Sequence, residues 1–222
     1  MRDYRDTKLY DLASASPLIL WYAFAVAGLW PQIVHALRAG LATHNSGLLL
    51  EGLSLLTSAG FIAFEILVFF LRETPVRFSE SWLSRGISLA AANLGIAFLM
   101  LPRAQLSSTA AVISSALIIS GSAMAILVLC WLRRSFSILP QARRLITTGP
   151  YRYVRHPLYL AEAIAGLGLM MQFRQPWAGL MAVMVFALQF PRMRYEETVL
   201  AKAFPSYHAY SARTARLLPG IY

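Results

Sequence analysis

Residues 104–132 carry no charged side chain, 29 consecutive positions in a chain of 222. At ~1.5 Å per residue such a run reaches roughly 43 Å as a helix, more than the ~30 Å of a bilayer's hydrocarbon core. Lipid offers the backbone no hydrogen-bond partners, so a run of this kind folds as a membrane-spanning helix. Five further apolar stretches cover residues 12–37, 47–71, 86–101, 158–173 and 177–190. The reading is an all-α integral membrane protein of about six spans, four followed by a C-terminal helical hairpin that turns at Arg174-Gln175-Pro176. Pro17 is expected to open the first helix and Pro102 to stop the third, whose 16 positions make it a short span. With 58% hydrophobic and only 14% charged residues, against roughly 25% charged in soluble domains, the composition excludes a soluble enzyme, a nucleic-acid module and a disordered chain.

The net charge of +10 comes from 20 basic and 10 acidic residues. In a membrane chain these charges orient helices. Six crossings with a cytoplasmic N-terminus gather three basic residues in the N-terminal tail, three between Arg72 and Arg85, six between Arg133 and Arg155 and five between Arg192 and Arg216. That is 17 against three on the far side, Arg38, Arg103 and Arg174. Both termini are therefore expected in the cytoplasm, on the inner membrane if the host is bacterial, with no signal peptide at the N-terminus. The lone Cys130 excludes an intrachain disulfide and reads as a core residue. His35, His44 and His208 show no metal-ligand spacing, and neither a metal nor a nucleic acid is expected as a partner.

The chain divides into 1–132, helices, and 133–222, where polar and ionisable groups concentrate. Two clusters there invite chemistry. In the first, Gly149-Pro150 makes a turn. Pro157 suits the first position of a helix. His156 then stands at a helix entrance, whose free N–H groups favour an anionic ligand group. The rings of Tyr151 and Tyr159 can pack a planar base; the competing reading is an interfacial aromatic belt with positive-inside arginines. In the second, Arg192 and Glu196 share one helical face, either as an exposed ion pair of little energetic worth or as a pair used beside a cavity at membrane depth. Glu162 lies on the face of Tyr159, and Glu65 reads as a packed or Arg72-paired residue.

The sequences TTGPYRYVRHPLYLAE and, beyond the hairpin, RMRYEETVLAKAFPSYHAY resemble the membrane methyltransferases of the isoprenylcysteine carboxyl methyltransferase type, a pattern partly shared by phospholipid methyltransferases. The resemblance covers about residues 131–213. It implies an S-adenosylmethionine-dependent enzyme with its cofactor pocket at the cytoplasmic end, acting on a lipidic or small hydrophobic acceptor reached from the bilayer. It further implies that Arg143, Arg144, Leu145 and Ile146 wrap the cofactor, and that Tyr151, His156, Pro157, Tyr159 and Glu196 bind it. Arg192 would serve the acceptor, with Glu162 nearby. Two departures from the pattern are the arginine pair 143–144 and Ala161-Glu162 after the tyrosine. Two other readings compete: a sterol-type reductase using NADPH, and a non-enzymatic transporter or assembly factor.

Overall fold

A computed structural model describes residues 7–220, side chains included except those of Ile96, Ala97 and Leu99. Its long helices begin where short polar side chains can take up the free N–H groups of a first turn. Thr7 caps α1 (Lys8–Thr43), Asn45 caps α2 (Ser46–Leu71), Ser81 caps α3 (Trp82–Asn93) and Ser107 caps α4 (Ser108–Leu132). α5 (Pro157–Met171) instead starts on its proline, α6 spans Trp177–Ala203, and α7 is the short Tyr207–Ser211. Two-residue strands β1 (Arg77–Phe78) and β2 (Gln141–Ala142) pair antiparallel, Arg77 opposite Ala142.

Three helices, Lys8–Thr43, Ser46–Leu71 and Ser108–Ser135, are long and apolar enough to cross a membrane, and Pro157–Met171 is a shorter apolar helix. The expected boundaries shift in three places. α1 starts well before Pro17 and runs through it and Pro31. Its added first turns are held by the Thr7 cap and by Asp11, whose carboxylate is buried against arginines. The stretch 86–101 is not one helix: α3 ends at Asn93 and gives way to a 3-10 segment, Leu94–Met100. Asn93 and Gly95 are poor helix formers, and their weakness breaks the span. α6 continues thirteen residues past Phe190, through Pro191. A proline removes one intrahelical hydrogen bond but does not forbid the turns that follow, so Arg192 and Glu196 sit on a rigid helix. Beyond α6 the tail forms only α7 before looping back.

α1, α2, α4 and α5 pack in series. At the α4–α5 contact Gly121 has no room for a side chain, since a Cβ there would meet the Ala161 carbonyl at 2.8 Å. Ser114 Oγ donates to the Gly168 carbonyl at 2.8 Å across the same contact. The main core joins Val68 and Phe69 of α2, Val128 and Leu129 of α4, and Phe136, Ile138 and Tyr151 from the loops that follow. The Phe69 and Phe136 rings meet edge-on at 5.7 Å, a favoured aromatic geometry. Where α4 ends, the chain is pinned to the α2–α3 connection: Glu73 N–H donates to the Arg134 carbonyl and Val76 N–H to that of Ala142, both at 2.8 Å.

The strongest polar anchor lies beside this pin. Asp11 is 3% exposed, and Arg72 Nε and Arg143 Nη2 each reach its carboxylate at 2.8 Å. Arg143 also donates to the Glu73 carbonyl. Arg72 thus pairs with Asp11 and not with Glu65. Arg2 and Arg5, counted in the charge split, lie outside the described residues.

Candidate active site

A cavity of about 100 Å³ lies where α4 ends, between the loop 133–146, the start of α5, the last turns of α6 and α7. Arg143, Arg144, Leu145, Ile146, Tyr151, His156, Tyr159, Arg192 and Glu196 all line it. Thus both sequence clusters converge on one space, although a helical hairpin separates them in the chain. Pro157 and Glu162 do not line it.

Local structure explains the convergence. Gly149 has φ +60, and a Cβ there would run into the Trp131 indole; only glycine suits both demands. The turn drops Tyr151 into the core, where Tyr210 Oη donates to its carbonyl at 2.7 Å. Burial pushes the Tyr210 phenol up to about 12, so it keeps the proton it donates. Pro157 occupies the first turn of α5 and leaves His156 as its N-cap residue. The His156 and Tyr159 rings lie 5.2 Å apart.

The reactive-looking groups form a chain of contacts. Tyr159 Oη donates to Glu196 Oε1. Arg192 Nε approaches the same oxygen at 3.4 Å, and the guanidinium lies over the Tyr159 ring, 4.8 Å from its centroid. Arg192 is 3% exposed, so the pair is not the solvated ion pair weighed from the sequence. Behind it, Arg192 Nη1 donates to Gln189 Oε1 at 3.4 Å, and Gln189 Nε2 donates to Glu162 Oε2 at 3.2 Å. Glu162 therefore touches the site through Gln189. Arg143 lines the cavity while its guanidinium is held by Asp11, the Glu73 carbonyl and Gln141.

Glu197, beside Glu196, faces a different neighbourhood. Its carboxylate takes Arg155 Nε at 2.9 Å, Arg216 Nη2 at 2.7 Å and His156 Nε2 at 3.1 Å. Burial pushes this carboxyl up, but hydrogen bonds from His156, Arg216 and Arg155 outweigh it and hold the group at about 2. An ionised carboxylate only accepts, so His156 Nε2 carries the proton in this contact. The cluster locks the returning tail in place, with Arg155 N–H donating to the Ala215 carbonyl at 2.8 Å.

Sequence reasoning missed several lining residues, among them Ser135, Gln141, Arg155 and Leu200. Tyr207 and Tyr210 stood in the second cluster without a role. Six buried side-chain polar atoms have no hydrogen-bond partner among the described residues, and four belong to cavity residues: Ser135 Oγ, Arg143 Nε, Arg192 Nε and Tyr207 Oη. Buried polar groups are rarely left this way. Their concentration at one cavity fits a polar ligand that supplies the partners.

Residues 104–206, which include the first motif, most of the second and nearly the whole cavity, match the sequence model of the phospholipid methyltransferase family. This is one of the families that the paired motifs resemble, and the match takes in α4, one of the three helices long and apolar enough to span a membrane. Among individual proteins, the chain is similar to the cobalt-zinc-cadmium resistance protein CzcN of Cupriavidus metallidurans. The two are 37% identical over 76 residues, which cover 34% of this chain and 35% of that protein. It is also similar to the nickel-cobalt-cadmium resistance protein NccN of Alcaligenes xylosoxydans xylosoxydans, 32% identical over 80 residues covering 36% and 38%. The chain thus spans little more than a third of the length of these curated relatives.

Proposed function

We propose that the protein is an S-adenosylmethionine-dependent membrane methyltransferase acting on a lipidic or small hydrophobic acceptor. One observation carries the reading: Tyr159, Arg192 and Glu196, from two motifs on separate helices, meet in one cavity where Ser135 Oγ, Arg143 Nε and Tyr207 Oη have no partner among the described residues. The residues suit that cofactor. A carboxylate and two tyrosine rings answer a cationic, partly aromatic molecule, and the unpartnered hydroxyls and N–H groups answer its polar ends. When bound, the cofactor supplies a methyl group on a sulfonium, which leaves with its bonding pair as a neutral thioether.

The chain's own work is alignment and charge. Methyl transfer is an in-line displacement in which positioning supplies much of the rate. Glu196 offers negative charge toward the cofactor, and the Tyr159 hydroxyl fixes its carboxylate. Arg192 is held over the Tyr159 ring, with Gln189 and Glu162 behind it, and presents its remaining donors to the acceptor. Both termini on the cytoplasmic side, and the cavity with them, belong to the same proposal, supported by the 17-to-three distribution of basic residues. The family match over 104–206 favours methyl transfer over nicotinamide-dependent reduction or transport. Purified protein in detergent should bind S-adenosylmethionine and not NADPH by calorimetry; the reverse result removes the reading. The names of the two relatives add a second, physiological reading, a part in heavy-metal resistance. A deletion strain as tolerant of cobalt and cadmium as its parent would dismiss it.

A further inference from the structure

Tyr207 opens α7 and is 4% exposed. Its ring lies edge-on to that of Tyr210, 5.9 Å away, yet the two hydroxyls differ. Tyr210 Oη donates to the Tyr151 carbonyl, whereas Tyr207 Oη has no hydrogen-bond partner among the described residues. Phenylalanine would fill the same space without the desolvation cost of a lone buried hydroxyl. Tyr207 lines the cavity, so a bound ligand is the natural source of the missing partner.

The surroundings define that partner's charge. Among the charged side chains that line the cavity, Arg143, Arg144, Arg155 and Arg192 stand against Glu196. That excess of positive charge favours an anion. Nε and Nη1 of Arg155 are already taken by Glu197 and the carbonyls of Ser211 and Thr214. The arginines supply field, and Tyr207 supplies a buried donor with no other partner among the described residues.

We propose that the Tyr207 hydroxyl donates a hydrogen bond to the carboxylate at the amino-acid end of the bound cofactor. This rests on the methyltransferase reading and deepens it. The cofactor's one anionic group turns toward α7, and its sulfonium toward Glu196.

The test uses the full chain in detergent, with calorimetric titrations of S-adenosylmethionine and its decarboxylated analogue, and thermal scans of the ligand-free protein. The wild type should prefer the carboxylated form by tenfold or more. Tyr207→Phe should weaken S-adenosylmethionine binding by about ten- to a hundredfold, the range of a hydrogen bond to a charged group. It should change binding of the decarboxylated analogue less than twofold. The ligand-free variant should melt no lower than the wild type, because the lost hydroxyl had no partner. Equal losses on both ligands, no loss on either, or a lower melting temperature overturns the assignment. A wild type that binds both ligands alike overturns it without touching the proposed function. A wild type that binds neither overturns both.

Discussion

Glu196→Gln changes one charge and almost no volume at the point where the two motifs meet. Its effects on stability and on ligand binding should separate. In the ligand-free protein, Glu196 Oε1 accepts from Tyr159 and faces Arg192 Nε at 3.4 Å. Glutamine keeps an acceptor for Tyr159 but leaves Arg192, 4% exposed at its side chain, without its countercharge. Stranding a buried charge costs about 3–5 kcal/mol in tight pairs. Here the pair lacks hydrogen-bond geometry and Glu196 is 21% exposed, so the cost should be smaller, about 1–2 kcal/mol once solvent screening is allowed for. Cofactor binding should suffer more. Losing a charged hydrogen-bond acceptor is worth about 1.5–3 kcal/mol, a rise in Kd of roughly ten- to a hundredfold. Calorimetry in detergent gives Kd, and thermal scans with and without S-adenosylmethionine give the stabilisation by ligand. Glu80→Gln is the control: it removes an exposed carboxylate that does not line the cavity. If Glu196→Gln binds S-adenosylmethionine like the wild type while remaining folded, Glu196 does not face the cofactor and the assignment fails.

Three further outcomes follow from the same contacts. Arg192→Lys loses the planar fork over Tyr159, so transfer of labelled methyl from S-adenosylmethionine into the organic extract of membranes should fall ten- to a thousandfold, about 1.4–4 kcal/mol; because Arg192 also touches Glu196, Kd should rise only a few-fold, and loss of cofactor binding would reverse the two roles. Glu197 sits below its ordinary 4.5, at about 2: a depressed carboxyl stabilises the fold above its unfolded value and loses that contribution as pH falls toward the folded one, so wild-type melting temperature should drop between pH 4.5 and 2 more steeply than that of Glu197→Gln, and parallel curves would refute this. Asp11→Asn leaves two buried arginines without their shared carboxylate and should cost about 3–5 kcal/mol; an unchanged thermal scan would show that the cluster contributes nothing.

The membrane-crossing character and the cavity residues were legible because they rest on local pattern. An uncharged run needs no tertiary information to be read as a span. Gly149-Pro150 and His156-Pro157 specify a turn and a helix start by their own backbone limits. What stayed hidden depends on pairing across the chain. Nothing near Asp11 reveals that Arg72 and Arg143, 61 and 132 residues away, share its carboxylate. Arg143 could therefore be read as a cofactor group from its place before the turn, while Nη1 and Nη2 of its guanidinium are held by Asp11, Glu73 and Gln141 and only Nε is left without a partner among the described residues. Glu196 and Glu197 are adjacent and chemically alike, and only the helix surface they occupy separates a cavity residue from a tail anchor. α6 outlasted its apolar stretch because a helix with tertiary contacts on its far turns tolerates a proline that local propensity treats as an end.

The Asp11 cluster also bears on how such a protein can be taken apart. The matched segment 104–206 holds the first motif and most of the second but neither Asp11 nor the α2–α3 connection, and it stops just short of Tyr207. A chimera that grafted this segment onto foreign membrane helices would inherit the chemical vocabulary without the grammar. Arg143 would lose its counterion, and the loop bearing Leu145 and Ile146 would lose its moorings at Glu73 and Val76. Chimeras of this chain should therefore fold where the first helix and the loop 133–146 travel together, and fail where they are parted.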